Sequence, residues 1–145
     1  MISFTITVDI DRPVKDVFTY LADLEHIPEW NWAISETEKI TPGSTSVGTR
    51  YRQIRSVPQV ATEVLEVTGL EPNRLIEIMG TLAQFPAQLT YQLDQAGSGT
   101  RVTNTVGLEP QGALRLVGPL VGGRIKQAVA DNLGQLKVLL EAAKS

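Results

Sequence analysis

The sequence predicts a single α+β domain in which a curved antiparallel sheet of about seven strands wraps around one long C-terminal helix. Three observations carry this. Residues 2–10 alternate strictly between apolar and polar side chains. Residues 33–109 hold six further strand-like runs separated by turn formers. Residues 116–140 then switch to the spacing of an amphipathic helix. A helix cannot hide an apolar stripe alone, and an antiparallel sheet offers one apolar face to cover it. The 145 residues fit one domain, 1–145. A chain of that size can bury roughly 70% of its unfolded surface and needs no covalent staple.

Ile2, Phe4, Ile6, Val8 and Ile10 share one face of the first strand, with Ser3, Thr5, Thr7 and Asp9 on the other. Asp11-Arg12-Pro13 ends it. Proline suits the first turn of a helix, where its missing N–H has no intrahelical partner to lose. Val14, Val17, Phe18 and Leu21 follow at helical spacing, ending near Ala22-Asp23. A second helical turn is expected from His26 to Trp30. Strands are then expected at 33–40, 49–56, 60–68, 74–80, 85–93 and 101–109. Pro42-Gly43, Val57-Pro58, Glu71-Pro72-Asn73 and Ala96-Gly97-Ser98-Gly99 punctuate them. Strands joined by short turns make an antiparallel meander. The last helix carries Leu116, Leu120, Val121, Ile125, Ala128, Val129, Leu133, Leu136 and Leu140 on one stripe. Gly122 and Gly123 weaken helix propensity by up to about 1 kcal/mol each, so the helix either starts or bends there, or packs closely against something.

The composition excludes several functions. There is no cysteine, hence no disulfide, thiolate ligand or cysteine nucleophile. One histidine without cysteine leaves too few ligands for a zinc site, so no metal and no cofactor is expected. A net charge of −3 argues against nucleic acid. No apolar run approaches the ~20 residues that span a bilayer. The opening MISFTITVDI lacks the marks of a signal peptide, and a cytoplasmic location is expected.

The order strand, two short helices, six strands, long helix resembles the START-like or SRPBCC superfamily, the helix-grip fold. The stretch 10–18 (IDRPVKDVF), residues 23–30 (DLEHIPEW), 47–52 (VGTRYR), 70–75 (LEPNRL) and 99–103 (GTRVT) resemble its polyketide cyclase/dehydrase branch. The resemblance implies a cavity between sheet and helix that takes a lipid, polyketide or aromatic compound. The matching motifs are caps, turns and packing residues, so they imply fold more than function.

The candidate site residues follow from the strand faces. Phe85, Ala87, Leu89, Tyr91 and Leu93 form the inward face of one strand; Val102, Asn104, Val106 and Leu108 form that of the next. Tyr91 and Asn104 thus bring polar groups onto apolar faces, where each needs a partner: protein, water or ligand. Trp30 and Trp32 either wall the cavity or close the core over the end of the sheet. Tyr51 stands with Thr49 and Gln53 on one face of a strand whose orientation both alternants leave open. Glu63 and Glu77 are solvated or, if inward, candidate acids or bases. Arg50 and Arg52 are expected to meet solvent or acids. His26, the lone histidine, is read as a loop residue between Glu25 and Glu29. The expected ligand contacts are Trp30, Trp32, Tyr51, Glu63, Glu77, Met79, Phe85, Tyr91, Asn104, Leu120 and Ile125.

No catalytic constellation is complete. The leading expectation is therefore binding of a small hydrophobic or amphipathic molecule. A cyclase or dehydratase using acid/base chemistry is one alternative, and a protein-interaction module is another; on any of these readings the chain is expected as a monomer or homodimer.

Overall fold

The computed structural model describes residues 2–82, 84–109 and 118–143, and for 118–121 the backbone alone. The elements are β1 (Ile2–Ile10), α1 (Val14–Ala22), one 3-10 turn (Leu24–His26), α2 (Ile27–Trp30), β2 (Ile34–Lys39), β3 (Arg50–Arg55), β4 (Ala61–Glu71), β5 (Leu75–Leu82), β6 (Phe85–Ala96), β7 (Gly99–Leu108) and α3 (Gly118–Ala142). The expected fold class is the one observed. Seven strands form one sheet in the order β1-β7-β6-β5-β4-β3-β2, and all pairs are antiparallel. β2 to β7 are a meander, and β1 joins its far end beside β7. The segment from β1 to β2, which carries α1 and α2, must therefore run from one edge of the sheet to the other.

Register sets which side chains meet. Ile6 opposes Asn104, Asn104 opposes Tyr91, and Tyr91 opposes Ile76, giving one row across β1, β7, β6 and β5. Phe4, Val106, Leu89 and Ile78 form the next row. On β4 the pairing slips between Val67 and Gly69. The bulge switches the phase of alternation: Leu65 and Val67 are buried before it, and Leu70 packs on the core after it. Before the bulge the inward face is open in the sequence because both alternants carry aliphatics, Leu65 and Val67 on one and Val60 and Val64 on the other. Gly80, opposite Leu65, allows a close approach of β5 to β4, since a Cβ there would lie 2.6 Å from the Val64 carbonyl oxygen.

α3 runs unbroken through its glycine pair. The reason for Gly122 is close packing: a Cβ there would lie 2.8 Å from Cγ2 of Ile2 on β1, while Gly123 has open space. The other end of α3 is anchored twice. Leu133, Leu136 and Leu140 are buried in the core. A polar clamp then ties the last turns to the β1–α1 junction. Arg12 Nη1 donates to the Leu140 carbonyl at 2.7 Å, Lys137 Nζ donates to the Asp9 carbonyl at 2.6 Å, and Glu141 Oε2 accepts from the Asp11 amide at 2.9 Å. Arg12 thus places a cation on a carbonyl that the helix leaves unpaired.

The core divides into two clusters. One joins α1, α2, the sheet and the C-terminal half of α3. The other is built on Phe85, Ala87, Val106 and Leu108, with Ile2, Phe4 and Ile125 against it. Leu89 and Val129 touch both.

Candidate functional site

The cavity lies at the seam between these two clusters. Ile27, Trp30 and Asn31 close it from α2 and its C-terminal end, and Val129 and Asn132 from α3. The sheet supplies Gln53, Leu65, Ile78, Leu82, Leu89, Tyr91 and Asn104. Its volume is about 60 Å³. That is room for a few heavy atoms, well below the ~150 Å³ that holds a benzene ring. A ring-sized occupant needs a wall to yield. α2 is only four residues long, and α3 is clamped at its far end rather than here.

Two neighbours in one cross-strand row set the polarity of the sheet wall. Tyr91 meets Trp30 edge-on, with ring centroids 6.4 Å apart. Burial pushes the Tyr91 hydroxyl far above the ordinary tyrosine range, so it stays protonated. Asn104 is 1% exposed and donates Nδ2 to the Thr90 carbonyl at 3.1 Å. Since a carbonyl only accepts, this bond fixes which end of the amide is nitrogen.

A buried ion pair stands on β3 and β4, where Gln53 joins the cavity wall. Gln53 on β3 faces Glu63 on β4 directly, and Gln53 Nε2 donates to Glu63 Oε1 at 2.8 Å. Arg55 Nε donates to the other carboxylate oxygen at 2.9 Å. Glu63 and Arg55 are both buried. Gln53 Oε1, Arg55 Nη2, Thr37 Oγ1 and Asn132 Oδ1 are buried with no hydrogen-bond partner among the described residues. Such atoms are costly, by about 1–3 kcal/mol each, until something meets them.

Of the expected contacts, Trp30, Tyr91 and Asn104 come together in the cavity wall. Glu63 faces inward but is held by Arg55 and Gln53. Tyr51 faces inward too, yet it lies in the core with its hydroxyl 2.7 Å from that of Thr45. Phe85 and Ile125 belong to the second apolar cluster beyond the cavity. Three expectations need correction. Trp32 is 66% exposed, because α2 ends at Trp30 and the chain turns outward after Asn31. Glu77 and Met79 lie on the outer face, because Ile76 and Ile78 take the inner one; Glu77 accepts from the Thr68 hydroxyl at 3.0 Å, and Met79 is half exposed. Leu120 lies outside the residues whose side chains are described.

His26 stacks on Tyr20 at 4.2 Å, with Nδ1 2.9 Å from the Tyr20 carbonyl oxygen, away from the cavity wall. Arg50 and Arg52 pair with Glu66 and Glu38 at the surface. Sequence reasoning missed Arg55, Asn31 and Asn132. Asn132 carried a signal, since an amide beside Leu133 and three residues from Val129 interrupts an apolar stripe. Arg55 carried none before β3–β4 register was known. Among the described residues no group of three histidine or acidic side chains could hold a metal ion, and no helix is long and apolar enough to cross a membrane.

Solved structures share this fold at low identity. TTHA0849 of Thermus thermophilus superposes with a TM-score of 0.79 at 20% identity, covering 99% of this chain and 99% of that one. A START superfamily protein of Mycobacterium smegmatis gives 0.76 at 17% identity, over 94% of this chain and 98% of that one. The di-domain ARO/CYC StfQ from the steffimycin biosynthetic pathway gives 0.76 at 13% identity, over 94% of this chain and 49% of that one. No protein of curated function matches the sequence. The family model described as polyketide cyclase / dehydrase and lipid transport matches residues 1–141. That match spans nearly the whole chain, and the chain belongs to the polyketide cyclase / dehydrase and lipid transport family.

Proposed function

We propose that the chain binds a small amphipathic molecule in the cavity between the sheet and α3. The observation that carries this is the make-up of the wall: mainly aliphatic and aromatic, with the polar groups of Tyr91, Asn104, Gln53, Asn31 and Asn132 set among them. An apolar wall with few convergent polar groups is the composition of a ligand site. A core that served stability alone would do better with aliphatics at those positions. The family description, which names both cyclase/dehydrase activity and lipid transport, is compatible with this reading.

The wall does not favour acid/base chemistry. Glu63 has both carboxylate oxygens occupied by protein donors, and the Tyr91 proton is too tightly held to act as a base near neutral pH. The interaction reading would need an exposed apolar patch around Ile27, Trp30 and Trp32, and it is not favoured, because Ile27 and Trp30 are buried and of the three Trp32 alone is exposed.

The test is native mass spectrometry of the purified chain, followed by solvent extraction. The expected result is an adduct that is lost on unfolding and is extracted as a mainly apolar molecule. A bare mass, together with no change in Trp30 emission on titration with ring-sized aromatics, overturns the reading.

A further inference from the structure

We infer that the cavity selects for a hydroxyl: its ligand is an uncharged molecule carrying an O–H on an apolar body, in preference to a carboxylate or a plain hydrocarbon. This rests on the binding reading above and specifies its chemistry. Two amides in the wall have their orientation fixed by partners that can only accept. Gln53 gives Nε2 to the Glu63 carboxylate, and Asn104 gives Nδ2 to the Thr90 carbonyl. Reversing either amide would set oxygen against oxygen. In both residues the carbonyl end is therefore the one these bonds leave unused. For Gln53 that oxygen is buried and has no partner among the described residues.

A group that answers a buried acceptor must donate. A hydroxyl does so. A carboxylate cannot donate. Arg55, the buried cation nearby, is held through Nε by Glu63 and is not among the residues that line the cavity, so the desolvation of a carboxylate there would go uncompensated. An ammonium would gain no free carboxylate, for the same reason. A hydrocarbon would displace whatever the amides bind and replace nothing, which loses affinity. Asn132, whose amide has no hydrogen-bond partner among the described residues that fixes it, can turn either end to the ligand.

The experiment titrates the intact chain, carrying Trp32→Phe so that emission reports Trp30 alone, with phenol, toluene and benzoate at pH 7. Phenol is expected to bind about tenfold or more tightly than toluene, the usual consequence of one matched buried hydrogen bond, and benzoate more weakly than either. Gln53→Met, which removes the fixed acceptor at similar volume, is expected to reduce the preference for phenol over toluene. If toluene or benzoate binds as tightly as phenol, the cavity reading stands and the hydroxyl inference is overturned. If none of the three binds, the hydroxyl inference falls, and with a bare mass the binding reading falls too. The comparison of ligands on unmutated Gln53 decides the matter even if Gln53→Met does not fold.

Discussion

Gln53 and Glu63 face one another across β3 and β4, and the 2.8 Å bond between them fixes the Gln53 amide in the cavity wall while Arg55 holds the other carboxylate oxygen. One buried cluster thus both neutralises a charge and orients an amide of the cavity wall. Taking two charges out of water is expensive, so the cluster's worth lies in completeness rather than in net attraction.

The first expectation concerns that completeness. Arg55→Met leaves Glu63 buried without its cation and should cost about 3–5 kcal/mol in urea unfolding. The double variant Arg55→Met/Glu63→Met should recover most of it, because no charge remains to be desolvated. Equal losses in the single and double variants would show that packing, not charge, explains the cost.

Glycine positions on α3 separate propensity from packing. Gly134→Ala meets nothing within 4 Å and should raise stability by about 0.5–1 kcal/mol, the helix-propensity difference. Gly122→Ala gains the same propensity but pushes a methyl onto Cγ2 of Ile2, so it should be neutral or destabilising. Adding Ile2→Ala should restore a benefit for alanine at 122 relative to glycine. Thermal unfolding of the set is the check; a stabilising Gly122→Ala on its own would show that α3 does not sit this close to β1.

All three tyrosines are held above the ordinary range, Tyr20, Tyr51 and Tyr91, each chiefly by burial, with Glu29 adding to Tyr20. A group with a raised folded pKa stabilises the fold fully below its unfolded value, about 10 for tyrosine. That contribution is lost as pH rises beyond it. Absorbance at 295 nm should therefore stay flat through pH 10 and rise only as the chain unfolds. A tyrosine titrating near 10 in the folded protein would show that one of these hydroxyls reaches solvent.

The clamp on α3 should show at acid pH. Hydrogen bonds from Lys137 and then from the Asp11 amide hold the Glu141 carboxyl below its usual range. A lowered carboxyl stabilises the fold above its unfolded pKa of about 4.3, and loses that contribution as pH falls through the folded value. Glu141→Gln should therefore narrow the stability gap between pH 7 and pH 3, read by urea unfolding at both. An unchanged gap would mean that the pairing is too well solvated to matter.

The two tryptophans should separate spectroscopically. Trp30 is 7% exposed and Trp32 66%. Trp32→Phe should shift the emission to shorter wavelength and remove most iodide quenching, with stability within about 0.5 kcal/mol of the parent, as for a surface change. Trp30→Phe should do neither, and should instead lower stability by opening the cavity wall.

The sequence by itself determined the element order, the meander and the inward faces of β1, β6 and β7. In those strands one alternant is apolar and the other is not, so a period of two has a single solution. Tyr91 and Asn104 were legible for that reason. β4 and β5 were not, because both alternants carry aliphatics and a bulge at Val67–Gly69 shifts the phase. Tertiary structure alone decided that Ile76 and Ile78 face in, leaving Glu77 and Met79 outside. It alone decided that Trp30 and Trp32, two residues apart, part company where α2 ends. The Arg55–Glu63 pair also waited on it, since which charges meet is fixed by cross-strand register, and register is a relation between segments that neither segment contains.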